Sequence, residues 1–234
     1  GGATEPPPEK CDPRAPFVHP NRSAAIVDQE GLLLDDPNPI LFAGDELTAY
    51  FGASRNAAFA LYRATRASRD SAFGRAVRLN GWGGGLAGVS TDGRRLYFVS
   101  VTTRLVRRAT FVAPDTLVPD AEDQTLPADM GGGVYVSANE QVVVYTKDAA
   151  PPRAGKPIPT FYRRDRVGAG WTAELQINAR GYLGTLSADG AFLVYLPRYF
   201  TGQGELNVAH VEPSDARFGK SVRVGENSGA QPSW

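Results

Sequence analysis

The sequence predicts an all-β protein, a β-propeller built from four-stranded antiparallel blades. Three observations carry that expectation. One segment recurs four times, as Gly44–Phe51, Thr91–Phe98, Ala138–Tyr145 and Ala188–Tyr195. Its turn residues, Asp45, Asp92, Asn139 and Asp189, stand 47, 47 and 50 residues apart. A near-constant period of this size marks a stacked supersecondary unit. Within each unit, short apolar runs alternate with turn signals four times, and capped helical periodicity is absent.

The elements follow in order. Strand one of each unit reads as Pro39–Phe42, Leu86–Ser90, Gly133–Ser137 and Tyr182–Ser187, with a small residue (Ala43, Ser90, Ser137, Ser187) two places before the turn residue. The Asp-Gly pair, or its equivalent, makes a tight hairpin turn. Strand two carries Ala49, Leu96, Val143 and Leu193 four places after the turn residue, then Phe51, Phe98, Tyr145 and Tyr195 at six. A spacing of two puts each pair on one strand face. Strand three is expected at Ala60–Thr65, Leu105–Arg108, Phe161–Arg164 and Leu206–Ala209, and strand four at Arg75–Leu79, Thr116–Pro119, Trp171–Ile177 and Ser221–Val224.

The ends match less simply. Residues 1–16 hold five prolines and few apolar residues, so they read as an extended tether. The propeller is expected over 17–234, with repeats at about 35–80, 81–127, 128–178 and 179–227. A strand near Ala24–Val27 precedes the first repeat, and Ser228–Trp234 resembles the entry to another blade. This arithmetic suits a five-bladed ring with an incomplete last blade, its outer strand supplied by the N-terminal region, and a chain cut short after Trp234. The alternative is four blades.

Composition excludes several classes. Lys plus Arg equals Asp plus Glu at 25 each, so no global field attracts nucleic acid or anionic lipid. No apolar run reaches membrane-spanning length. Cys11 is the only cysteine, which rules out an internal disulfide framework and a cysteine-rich zinc site. It is either an unpaired thiol or half of a bridge to a partner outside this chain. No intact signal peptide is present.

The repeats Ser90-Thr-Asp-Gly-Arg-Arg-Leu-Tyr-Phe98 and Ser187-Ala-Asp-Gly-Ala-Phe-Leu-Val-Tyr195 resemble the Ser-Pro-Asp-Gly-x-x-Leu-x-Phe repeats of TolB-type β-propellers. The linker Ala64–Gly74 and the segment Cys11–Phe17 are similar to parts of bacterial envelope propellers of this type. The resemblance covers roughly residues 11–234. It implies an exported, often lipid-anchored, non-catalytic protein of a Gram-negative envelope, periplasmic or outer-membrane-associated, that binds partners on one face of the ring. In some relatives an early cysteine pairs with one in the final blade, and the resemblance offers that as a fate for Cys11. Two features depart from the pattern. No copy has proline after the serine, and the third has Asn139-Glu140 in place of Asp-Gly, which leaves the subfamily open.

The chemical candidates are few. Asp45, Asp92 and Asp189 invite a metal or glycosidase reading, but equivalent positions in different blades spread around one rim instead of converging. A carboxylate there accepts backbone N–H bonds and sets a turn. His19 and His210 are the only histidines, and no Gly-x-Ser-x-Gly or His-Glu-x-x-His motif appears. Gly81–Gly85 and Met130–Gly133 lead into strands, so no helix N-terminus awaits a phosphate. Arg63, Arg107, Arg108, Arg163 and Arg164 read as solvated flanks and edge protection. Nothing calls for a metal or cofactor.

Topology supplies the best expectation of a site. Strand-four-to-one connections and strand-two-to-three loops share one face around the channel mouth. They hold Trp82, Asp129, Met130, Arg180 and Tyr182, together with the proline-stiffened loop Lys147–Pro159, which includes Arg153. These seven residues, Trp82, Asp129, Met130, Lys147, Arg153, Arg180 and Tyr182, are the expected contact surface for an envelope protein or a small ligand. The expected protein is a monomeric binding or scaffold module. The competing expectation is a propeller enzyme, a hydrolase or lyase acting on glycans through the same face, for which paired carboxylates would be required.

Overall fold

The computed structural model describes residues 28–31, 34, 40–55, 58–79, 84–100, 105–120, 133–147, 158–197 and 204–227. Among these there is no helix. Seventeen strands form four antiparallel sheets, the blades of a propeller. Blade 1 holds β1 (Ile40–Phe42), β2 (Thr48–Arg55), β3 (Ala58–Thr65) and β4 (Val77–Arg78). Blade 2 holds β5 (Gly84–Val89), β6 (Arg95–Ser100), β7 (Val106–Ala113) and β8 (Thr116–Pro119). Blade 3 holds β9 (Val134–Val136), β10 (Val142–Lys147), β11 (Thr160–Val167), β12 (Gly170–Trp171) and β13 (Leu175–Arg180). Blade 4 holds β14 (Tyr182–Leu186), β15 (Phe192–Leu196), β16 (Gly204–His210) and β17 (Ser221–Asn227).

Four blades among the described residues is the alternative count, not the five-bladed one. The segments behind the fifth blade, 24–27 and 228–234, and the tether 1–16 lie outside the described residues. Asp28, next to the first of these, makes a parallel bridge with Ala76 at the edge of blade 1 and pairs with Arg55 at 3.0 Å. The expected single outer strand of blade 3, Trp171–Ile177, is instead two pieces. β12 closes a two-residue hairpin with the end of β11, and β13 then pairs with β11 through a register shift.

The repeated turn works as a clasp. Ser90 Oγ donates to Asp92 Oδ1, which also accepts the Arg94 N–H at 3.0 Å, while Ser90 Oγ accepts the Arg95 N–H at 3.0 Å. Ser137 with Asn139, and Ser187 with Asp189, repeat this pattern. Blade 1 has Ala43 in the serine position and keeps only the Asp45 half, with Oδ1 accepting the Leu47 N–H at 2.8 Å. The aspartates set turns.

The clasped turns also join the blades. Gly44 N–H donates to Thr91 C=O at 2.9 Å, Thr91 N–H to Ala138 C=O at 2.9 Å, and Asn139 N–H to Ala188 C=O at 3.0 Å. Each bond runs from one blade to the next. The approach is close enough that a Cβ on Gly44 would sit 2.8 Å from the Thr91 carbonyl oxygen.

Alternation then sorts the core. Phe51, Phe98, Tyr145 and Tyr195 are all buried, as the six-place spacing predicts. Phe98 packs toward blade 1, Tyr145 toward blade 2 and Tyr195 toward blade 3. Phe51 packs with Leu34, Tyr62 and Ala76. The residue before each aromatic turns to the other face. Tyr50 joins the seam with blade 2 and Val144 the seam with blade 4.

One expectation is corrected. Arg63, Arg107, Arg108 and Arg164 stand on interior strands and are half-buried, not solvated edge flanks, and Arg163 is 3% exposed. It crosses from blade 3 to blade 4, where Nη1 donates to the carbonyls of Gly190 (2.9 Å) and Val211 and Nη2 reaches Glu212 at 3.1 Å, with Asp165 beside it. Strand pairing places it opposite Val144, on the seam face. Its guanidinium is buried because its donors find carbonyls and carboxylates there.

Three outcomes follow for stability. Gly93 has φ +67°, and a Cβ there would meet the Ala43 Cβ at 3.0 Å, so Gly93→Ala is expected to cost about 1–3 kcal/mol in denaturant unfolding. Glu46 already occupies the corresponding turn position with φ 59°, so Glu46→Gly should leave stability unchanged or raise it. Arg163→Met should cost about 2 kcal/mol, less than a fully buried pair, because Asp165 and Glu212 keep access to water.

Candidate functional site

The residues expected at the channel mouth fall into two groups. Trp82, Asp129, Met130 and Arg153 lie outside the described residues. Lys147, Arg180 and Tyr182 are described. Lys147 ends β10 and pairs across with Thr160 at the start of β11, and Thr160 pairs with Arg180 at the end of β13. The three form one row across blade 3 at a single rim. Gly181 N–H then donates to Pro159 C=O at 3.0 Å. That bond ties the crossover into blade 4, where Tyr182 begins β14, to the end of the proline-rich loop. A Cβ on Gly181 would lie 2.4 Å from the Leu196 carbonyl oxygen, so the crossover needs glycine. Arg180 is exposed and Tyr182 half-buried.

Lys147 does not simply project from this rim. Its Nζ is 2.7 Å from Glu174 and 5.1 Å from the centre of the Tyr162 ring. Glu174 also accepts a hydrogen bond from the Tyr145 hydroxyl, which accepts one from Arg164 Nε at 3.0 Å. Burial pushes Glu174 up, but the hydrogen bonds from Lys147 and Tyr145 outweigh it and hold the carboxyl below its usual range. Burial, reinforced by Glu174, raises the Tyr145 hydroxyl. The cluster draws on β10, β11 and the segment before β13.

Glu174, Tyr162 and Arg164 were not legible as a cluster in the sequence. They come together only once β11 pairs on both sides, and the loop between β10 and β11 is longer than its counterparts. The spacing from the turn therefore does not transfer between blades.

The opposite rim carries the clasped turns and the loop 211–220. Ser90 and the Arg94 N–H hold Asp92 below the usual carboxylate range, and Ser187 and the Ala191 N–H do the same for Asp189. His210 Nδ1 lies 3.1 Å from Asp215 and its ring meets Phe192 edge-on at 4.8 Å. No serine hydroxyl hydrogen-bonds to that histidine among the described residues. Nor do three or more His, Cys, Asp or Glu side chains gather there into a metal site. No helix among the described residues is long and apolar enough to cross a membrane.

Neither a protein-family model nor a curated protein matches the sequence. Solved structures do. TolB from Acinetobacter baumannii is similar with a TM-score of 0.50 and 15% identity, over 79% of this chain and 43% of that one. A protein assigned as TolB from Agrobacterium tumefaciens gives 0.51 at 10% identity, over 86% of this chain and 68% of that one. The fold is that of a TolB-type β-propeller. At these identities the likeness speaks for the TolB-type fold alone, and this chain spans 43% of the length of the A. baumannii protein. An oligogalacturonate lyase in complex with manganese is also similar, at a TM-score of 0.44 and 14% identity over 85% of this chain and 72% of that one. At that score it bears on neither activity nor site.

The Glu174 cluster of this TolB-type propeller has a pH signature. A carboxyl whose folded-state pKa is depressed stabilises the fold above its unfolded value, about 4.3, and that contribution is lost as pH falls through the folded value. Glu174→Gln should therefore lower the unfolding midpoint at pH 7, and by progressively less as pH falls below about 4, as followed by chemical denaturation across that range.

Proposed function

We propose that this chain is a non-catalytic binding or scaffold propeller of the bacterial envelope. It contacts a protein or small ligand through the channel-mouth rim formed by the inter-blade crossovers and the strand-two-to-three loops. The observation that supports this most is the bond between Gly181 and Pro159. It joins a crossover and a loop on the same rim of blade 3 into one surface, which presents exposed Arg180 beside Tyr182. Such a surface combines a rigid aromatic edge with a planar cation, the residue types that dominate recognition sites. Trp82, Asp129, Met130 and Arg153 belong to the same reading by topology, and Lys147 supports the rim from below through Glu174.

Export to the periplasm or outer membrane is part of this proposal. The TolB-type fold and the leader around Cys11 are what support it. The ring is a rigid frame and the contact residues sit on its loops, an arrangement suited to holding a partner.

A photo-crosslinking amino acid placed at Arg180 or Tyr182 of the tagged protein, directed to the periplasm by an added signal peptide, tests this reading. Discrete adducts from the envelope fraction are expected at both positions, with none from Arg94 on the opposite rim. Equal labelling from both rims would reject the site. Turnover of a saccharide or muropeptide by the purified protein would overturn the non-catalytic reading.

A further inference from the structure

At one rim of blade 3, three residues stand in a row. Lys147 pairs with Thr160 and Thr160 with Arg180, so β10, β11 and β13 carry them side by side. Directly paired residues point to the same face of a sheet. Alternation puts this row on the face of Tyr145 and Tyr162, which is turned to blade 2. The backbones of Lys147 and Arg180 are two strand spacings apart, about 10 Å.

Below the row, Glu174 gathers Lys147 Nζ at 2.7 Å, the Tyr145 hydroxyl, and Arg164 Nη2 at 3.8 Å. Row and cluster together hold three cations, Lys147, Arg164 and Arg180, against one carboxylate, Glu174. The local excess is therefore two positive charges. Arg180 is the exposed member, and it makes no ion pair among the described residues. Beside it the bond from Gly181 N–H to Pro159 C=O brings in the preceding residue, Ile158, which is 39% exposed.

This surface suits one kind of partner better than others. A saccharide needs an open aromatic face, and the row offers none: Tyr145 is buried, and Lys147 Nζ lies 5.1 Å over the Tyr162 ring. A membrane surface needs a broad apolar face beside the cations, and here a single aliphatic side chain stands next to the row. An exposed guanidinium beside one aliphatic residue matches a carboxylate with an apolar neighbour in an extended segment. Guanidinium groups take carboxylates with two parallel hydrogen bonds, and acids two places apart along a strand are separated by about 7 Å, within reach of both ends of the row.

We propose that this rim docks an acidic, extended segment of a partner protein, with Arg180 taking one carboxylate directly and the positive field of Lys147 and Arg164 favouring a second. The inference rests on the rim being the contact surface and adds the chemistry that the partner brings to it. Glu174 has two opposed effects: it stabilises blade 3, and it weakens the field that attracts the partner.

Fluorescence anisotropy with the whole chain and three labelled peptides tests the proposal: four Glu-Val repeats, and the same peptide with glutamine or with lysine in place of glutamate. The glutamate peptide should bind and the other two should not. Raising salt from about 0.05 to about 0.2 M should weaken it several-fold. Arg180→Glu should cost at least about tenfold, while Arg94→Glu, on the opposite rim, should cost nothing. Glu174→Gln should lower stability at pH 7 yet tighten the peptide, a combination that a purely structural role for the cluster does not produce. A glutamine peptide that binds as tightly, or an affinity unmoved by Arg180→Glu, would overturn the proposal. So would heparin binding tighter than the peptide, which would assign the row to an acidic saccharide. A photo-crosslinker at Tyr182 separates the two readings. Labelling of the glutamate and glutamine peptides alike keeps the rim as the contact surface and rejects the acidic partner; labelling of the glutamate peptide from Arg94 alone rejects the rim.

Discussion

The hydrogen bond passed from one hairpin turn to the next is the constraint on which the stacking of the blades depends. A blade can hide its flat faces only against its neighbours, so neighbouring sheets must meet at a fixed height and angle. The turn between strands one and two supplies that fix. Ser90 and Asp92, Ser137 and Asn139, and Ser187 and Asp189 use their side chains on the turn's own N–H groups. The peptide just ahead of the turn residue is then free to bond across the seam. Glycine at Gly44 allows the backbones to approach that closely.

Once the turns are fixed, alternation along strand two decides the rest of the core. The aromatic six places after the turn residue packs toward the preceding blade, and the residue before it toward the following one. Polar groups then distinguish seams that are alike in apolar packing. Between blades 3 and 4, the Arg163 guanidinium is saturated by carbonyls and acids. Between blades 2 and 3, Glu140 takes the left-handed turn position usually given to glycine, with φ 61°, and pairs with Arg95 at 3.0 Å. Between blades 1 and 2, Arg63 crosses to the Pro114 carbonyl and the Tyr50 hydroxyl to the Gly93 carbonyl. The turn repeats more faithfully than the polar chemistry between blades.

The rim that carries Lys147, Arg180 and Tyr182 has the opposite character. Strand ends and crossovers of blade 3 converge there through Thr160, Gly181 and Pro159. Reading strand order alone was enough to place Lys147, Arg180 and Tyr182 on that rim, because successive antiparallel strands must put alternate connections on the same side. It could not show that Lys147 bends onto Glu174. Glu174 follows the β12 hairpin, an irregularity the repeat does not contain.

By itself, the sequence determined the period, the four turns, the strand order and the burial of Phe51, Phe98, Tyr145 and Tyr195, because these follow from short-range spacing that each repeat restates. Only the tertiary structure decided that Arg163 is buried while Arg63, at the same register, is half-buried, and that Glu174 collects Lys147, Tyr145 and Arg164. Those facts depend on which residue of one blade faces which residue of the next. Loops of unequal length shift that match from repeat to repeat, so identical residue types at near-identical spacings end in different electrostatic surroundings.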